Sequence, residues 1–98
     1  MADFRLSTRA AADLGSIARY TIETFGVEQA RRYRDDLEAC FRTLADNPRL
    51  GRSAERLRPG LRRFEHRSHA VFYMQNEDGI LIVRILHARM EPSRGVRP

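Results

Sequence analysis

The apolar residues change period once along this chain, and that change constrains the fold more than any other feature. From Leu14 to Leu44 they recur every three or four positions, the spacing that lines one face of an α-helix. Beyond Pro59-Gly60 they run in short blocks bounded by turn residues, as strands do. Helical pattern first and strand pattern afterwards reads as α+β, with the helices on one face of a small, mainly antiparallel sheet. With 98 residues the chain has the length of one domain, 1–98. That length buries one core and leaves little room for a deep substrate cavity, so work at an exposed surface is expected.

Phe4-Arg5-Leu6 is a short strand candidate. Ser7 or Thr8 can cap the helix that follows by accepting backbone N–H bonds. Leu14, Ile17, Ala18, Thr21, Ile22 and Phe25 form its expected buried stripe. Gly15 lowers helix propensity by about 1 kcal/mol, which predicts close packing against a neighbour. Gly26 suits the position that ends the helix. The second helix buries Ala30, Tyr33, Leu37, Cys40, Phe41 and Leu44 and turns Arg31, Arg34, Asp35, Glu38 and Arg42 to solvent. Asn47-Pro48 stops it. With one turn between them, the helices make an antiparallel hairpin.

Residues 48–60 read as a loop. Three strands follow, Leu61–His66, Ala70–Met74 and Ile80–His87, with Asn76-Glu77-Asp78-Gly79 turning between the last two. Val71-Phe72-Tyr73 and Ile80–Val83 are continuous apolar runs, which predicts burial on both faces. The order is strand, helix, helix, three strands. The tail from Arg89 to Pro98 holds two Pro, one Gly and three Arg, and is expected to be loosely ordered when unbound.

The charge is uneven. Residues 1–49 carry eight Arg and eight acidic residues; residues 50–98 carry ten Arg and five, so the net +5 belongs to the second half. All 18 basic residues are Arg, whose planar fork suits carboxylates and phosphates. Arg62, Arg63 and Arg67, with Arg52, Arg56 and Arg58, make a basic cluster. A solvated surface, an acidic partner and phosphates are all compatible with it. No apolar run approaches a membrane span, and the N-terminus lacks a signal-peptide pattern. A lone Cys40 makes no internal disulfide. A cytoplasmic protein without membrane contact is expected.

Few residues carry specific chemistry. His66 and His69 lack the further ligands that zinc needs and read as solvent-exposed strand residues. Cys40 reads as core. No metal or cofactor is expected. Arg84 stands out because its strand is otherwise apolar: a charge there needs a partner or an open groove. A structural ion pair, for example with Glu65, and a binding role both fit. His87 ends the strand and can act as acid or base.

The ordered features resemble a family. Leu6-Ser7-x-x-Ala10-x-x-Asp13-Leu14, Asn47-Pro48-x-x-Gly51, Leu57-Arg58-x-Gly60-x-Arg62, His69-x-Val71-Phe72-Tyr73 and Ile82-Val83-Arg84-Ile85-Leu86-His87 together look like a ParE-type toxin of the ParE/RelE superfamily. The resemblance spans about residues 4–90. It implies the same strand-helix-helix-three-strand fold and a toxin of a type II toxin–antitoxin system. It also implies a ParD-like antitoxin, whose N-terminal ribbon-helix-helix part binds operator DNA and whose C-terminal segment wraps the toxin. Contact with operator DNA would then be indirect, in a hetero-oligomer.

RelE-like members cut mRNA on the ribosome; ParE-like members are thought to poison DNA gyrase. The RelE-like catalytic Arg of the middle strand would fall near Ala70. Ala88 and Met90 stand where a catalytic aromatic would be. These departures favour gyrase inhibition by binding rather than by enzyme action. The alternative is a ribosome-dependent endoribonuclease using Arg84, His87 and Arg89. For the antitoxin, Arg62, Arg63, Arg67, Phe72 and Arg84 are the expected contacts. For the target they are Arg84, His87, Arg89, Met90 and Arg94.

Overall fold

The computed structural model describes residues 2–89. In order the elements are β1 (Asp3–Leu6), α1 (Thr8–Phe25), α2 (Val27–Asp46), β2 (Arg52–Ser53), β3 (Leu61–His66), β4 (His69–Asn76) and β5 (Gly79–His87). The strands form one sheet in the order β1-β5-β4-β3-β2. β3, β4 and β5 make the expected antiparallel meander, while β1 lies parallel to β5, with Phe4 opposite Ile80 and Leu6 opposite Ile82. The short β2 pairs with β3 and was not legible as a strand: Arg52-Ser53 has no apolar pattern.

Local chemistry explains the helix ends. Ser7 is the N-cap of α1. Its Oγ accepts from Ala10 N at 3.0 Å and donates to Val83 O at 2.8 Å, so one hydroxyl both starts the helix and ties it to β5. Gly26 alone separates the helices, at φ 93°, a conformation that glycine adopts without steric cost. Gly79 has a second reason to be glycine. A Cβ there would run into the backbone of Asp3, so β1 can lie against the β4–β5 turn only because the side chain is missing.

The helical hairpin covers one face of the sheet. Leu37, Phe41 and Leu44 of α2 meet Val71, Tyr73, Ile80, Ile82 and Ile85, with Phe4 edge-on to Phe41 at 5.4 Å. The opposite face holds a second cluster of Leu61, Ala70, Phe72, Val83 and Leu86, covered by Ala54 and Leu57 of the loop before β3. Two clusters on opposite faces account for the continuous apolar runs of β4 and β5.

Two expectations for α1 need correction. Ile22 and Phe25 are 44% and 65% exposed, not buried. Every residue from Ile22 to Gln29 is exposed, because the tip of the hairpin projects clear of the sheet. Gly15 is not in close packing: a Cβ there would meet nothing nearer than Arg19 Nη1 at 3.9 Å.

Candidate functional site

The strongest polar constellation forms where α1 crosses the end of β5. Two residues, Val83 and Arg84, stand opposite Phe72, so the β4–β5 ladder carries a bulge. Val83 lies in the cluster on the far face, Arg84 turns towards α1, and the extra residue lets Ile85 follow on that same helical face. There Asp13 receives it. Arg84 Nε donates to Oδ2 at 2.7 Å and Nη2 to Oδ1 at 2.8 Å, and the backbone N–H of Ile85 also reaches Oδ2 at 2.9 Å. β1 ends opposite Ile82, so the Asp13 carboxylate supplies the acceptor that a neighbouring strand would otherwise give Ile85. The carboxylate raises the Arg84 pKa through these hydrogen bonds against an opposing effect of burial. Asp13 therefore replaces Glu65 as the ion-pair partner of Arg84. Glu65 lies instead between Arg52 and Arg63, at 3.1 and 3.4 Å.

Beside this clamp runs an open groove of about 580 Å³, lined by residues that include Ile17, Tyr20, Phe25, His69, Ile85 and His87. Tyr20 and Phe25 expose 64% and 65% of their surface to solvent. A smaller groove of about 280 Å³ lies on the other side of α1, against Ala30, Tyr33 and Leu37 of α2. Ile17 belongs to both, so α1 is a ridge between two largely apolar depressions.

At the groove's upper end the histidines gather. His69 Nδ1 lies 2.6 Å from the Tyr33 hydroxyl, and the His69 and His87 rings are 5.9 Å apart. His66 and His69 are half-buried, which corrects the expectation that both face solvent. Burial lowers the pKa of each; His87 and His66 add to the effect at His69, and Arg67 adds to it at His66. Arg67 turns the β3–β4 hairpin at φ 55°, uncommon for a residue with a side chain, and pairs with Asp36 of α2 at 3.1 Å. Among the described residues no group of three or more His, Cys, Asp or Glu is placed to hold a metal. None of the described helices is long and apolar enough to cross a membrane.

The residues expected to meet an antitoxin do not form one patch. Arg67, in the β3–β4 turn, is paired with Asp36 of α2, and Arg84 of β5 with Asp13 of α1. Arg62 donates to Gly51 O at 2.6 Å. Arg63 lies over the Phe72 ring on the far face, 5.4 Å from its centroid. Phe72 is itself buried, at 1% exposure, and its ring is not a surface contact in this chain. For the target, the structure brings together His87 and Arg89, whose N–H reaches His87 Nδ1 at 3.2 Å. Arg84 is turned away to Asp13. Met90 and Arg94 lie outside the described residues. Sequence reasoning missed Asp13, Tyr20 and Phe25 as site residues. Asp13 was present in the opening motif, and Tyr20 falls off the apolar stripe, which was the available signal.

The comparisons agree with this architecture. The model of the family described as "ParE toxin of type II toxin-antitoxin system, parDE" matches residues 4–92. Toxin ParE1 of Caulobacter vibrioides is 42% identical over 90 residues, covering 92% of this chain and 93% of that protein. Toxin ParE1 of Mycobacterium tuberculosis is 37% identical over 94 residues, 95% and 96% of the two chains. A solved structure titled "Chromosomal ParDE TA system from P. aeruginosa" superposes with a TM-score of 0.73 at 26% identity, covering 89% of this chain and 96% of that one. The family model reaches from β1 through β5, and the chain belongs to the ParE toxin family of type II toxin–antitoxin systems.

Proposed function

We propose that the free chain inhibits DNA gyrase by binding it in the cytoplasm, without catalysis of its own, and that a ParD-like antitoxin neutralises it by covering the α1 ridge. Family membership supports the class of activity. The observation that carries the site is the exposed apolar surface of the hairpin: Tyr20, Ile22, Phe25 and Val27 are all 44% exposed or more. Large apolar groups clustered in the open mark surfaces made to be covered. An amphipathic antitoxin segment would lay its apolar side along the grooves beside Ile17 and direct acidic residues to Arg67 and Arg89. Such a segment folds as it binds, and the complex is a hetero-oligomer. Operator DNA would be contacted through the ribbon-helix-helix part of the antitoxin.

The position of Arg84 weighs against the endoribonuclease reading. A guanidinium already gripped by Asp13 in two hydrogen bonds is poorly placed to stabilise a phosphorane. The test is a supercoiling assay with purified chain. Inhibition of gyrase that a ParD-like protein reverses supports the proposal. Full supercoiling at saturating chain, or codon-positioned mRNA cleavage in a translation extract, overturns it.

A further inference from the structure

Three histidines lie in one row across the sheet. His66 of β3 stands opposite His69 of β4, and His69 stands opposite His87 of β5. Residues directly opposite share a face, and Tyr33 of α2 lies against the His66 and His69 rings, so the row is on the helical face. His69 and His87 line the groove beside α1. His66 is set apart from them, because its Nε2 is buried without a partner. The partners of the other two rings fix their tautomers. The backbone N–H of Arg89 donates to His87 Nδ1 at 3.2 Å, so that nitrogen carries no proton. At 2.6 Å the Tyr33–His69 contact is shorter than an N–H donor normally gives, which makes the phenol O–H the donor and His69 Nδ1 the acceptor. In both neutral rings the proton therefore sits on Nε2. Among the described residues neither Nε2 has a hydrogen-bond partner. The nearby carboxylates are already engaged, Asp13 by Arg84 and Asp36 by Arg67. The other titratable and charged neighbours are Tyr33, His66 and Arg89, and none of them is an anion at neutral pH.

We propose that His69 and His87 form a carboxylate-binding subsite at the end of the α1 groove, which takes an acidic side chain of the antitoxin segment. The subsite rests on the reading of the ridge as the antitoxin's surface. Two N–H donors on rings 5.9 Å apart suit the two oxygens of one carboxylate. The apolar walls from Ile17, Tyr20 and Ile85 suit a peptide on either side of it. RNA phosphates call for fixed positive charge, and the guanidinium that lines this groove, Arg84, is held by Asp13. In the free chain burial disfavours the His69 imidazolium, and His87 and His66 add to the effect. A bound carboxylate favours it. Binding therefore draws in protons, and affinity rises as pH falls.

The test is calorimetry of the full chain with a ParD-like antitoxin at about pH 8 and about pH 6. Binding is expected to be about three- to tenfold tighter at the lower pH, with proton uptake read as a buffer-dependent heat. H87Q, at an exposed residue, and H69Q should each bring that ratio towards one. Y20S/F25S should weaken binding at both pH values and keep the ratio. Imidazole nitrogen NMR of the free chain checks the tautomers without the antitoxin. Three results overturn the proposal: a neutral ring protonated at Nδ1, an unchanged ratio in both histidine variants, or an RNA oligonucleotide whose binding needs His87 while antitoxin affinity is indifferent to H87Q. Absence of antitoxin binding at both pH values would remove the ridge reading and the subsite with it, so the two failures are distinguishable.

Discussion

Asp13 and Arg84, 71 positions apart in sequence, lock α1 to the bulge of β5 through two side-chain hydrogen bonds of 2.7 and 2.8 Å. Both side chains are about 15% exposed, so the pair is largely shielded from water. Removing the carboxylate also strips Ile85 N–H of its acceptor. Asp13→Ala is expected to destabilise the fold by about 3 kcal/mol, read by urea unfolding. The double variant D13A/R84A should lose less than the sum of the two single changes, because each single change leaves the other group behind. Simple additivity would show that the two residues are not coupled.

Tyr73 anchors the basic loop. Its ring is fully buried, and its hydroxyl serves Pro48 O and Gly51 N. Tyr73→Phe should cost about 1 to 3 kcal/mol by leaving both backbone groups unsatisfied. Gly51→Ala should be destabilising for a different reason: its Cβ would come 2.5 Å from that hydroxyl and 2.9 Å from Arg63 O. Thermal unfolding of the two variants measures both effects.

The exposed rings of α1 separate binding from stability. Tyr20→Ser and Phe25→Ser remove side chains with little buried area, so unfolding should change by less than about 0.5 kcal/mol. Affinity for a ParD-like antitoxin, read by calorimetry, should fall at least about tenfold for the pair. Unchanged affinity would move the antitoxin off this ridge.

His66 and His69 make stability depend on pH in a defined direction. Burial depresses both pKa values in the folded chain. The unfolded chain therefore takes up protons first as pH falls through about 6.5. Stability is held above that pH and lost below it, down to the folded pKa values, where the loss levels off. The H66Q/H69Q variant should show a flatter dependence of thermal midpoint on pH between about 6.5 and 5. Equal slopes in variant and parent would contradict the assignment.

Cys40 is buried among apolar side chains, and burial pushes its thiol up to about 11. The nucleophilic thiolate is scarce at neutral pH and the sulfur is covered. A thiol reagent should modify the native chain slowly and the urea-unfolded chain at once. Rapid native labelling would show that α2 opens from the sheet.

The helices, the meander and their order were legible because they rest on local properties. Ser7, Gly26 and Asn47-Pro48 punctuate the helices, and the apolar runs of β4 and β5 require two covered faces. The same local rule failed for Ile22 and Phe25. Helical spacing shows which side of a helix is apolar, but not how far that helix overlaps its sheet. The candidate site was legible only in part. Arg84 stood out as a charge in an apolar strand, yet its partner could not be read, and Asp13 looked like an ordinary polar residue of the first helix.

The sequence by itself determined one α+β chain, helical hairpin first and meander afterwards, with its charge excess in the second half. The tertiary structure decided how that charge is distributed over the surface. A period of two assigns strand side chains to alternate faces, but the bulge at Val83-Arg84 breaks the alternation, and Arg84 and Ile85, adjacent in sequence, both turn to the helical face. Ala54 and Leu57 of the loop fold back over the far face, where Arg63 lies against Phe72, while Arg62 stands opposite Tyr73 and reaches Gly51 O. Residues that make one basic cluster in the sequence thus divide between two faces of the sheet, because strand register and loop docking depend on contacts between distant parts of the chain.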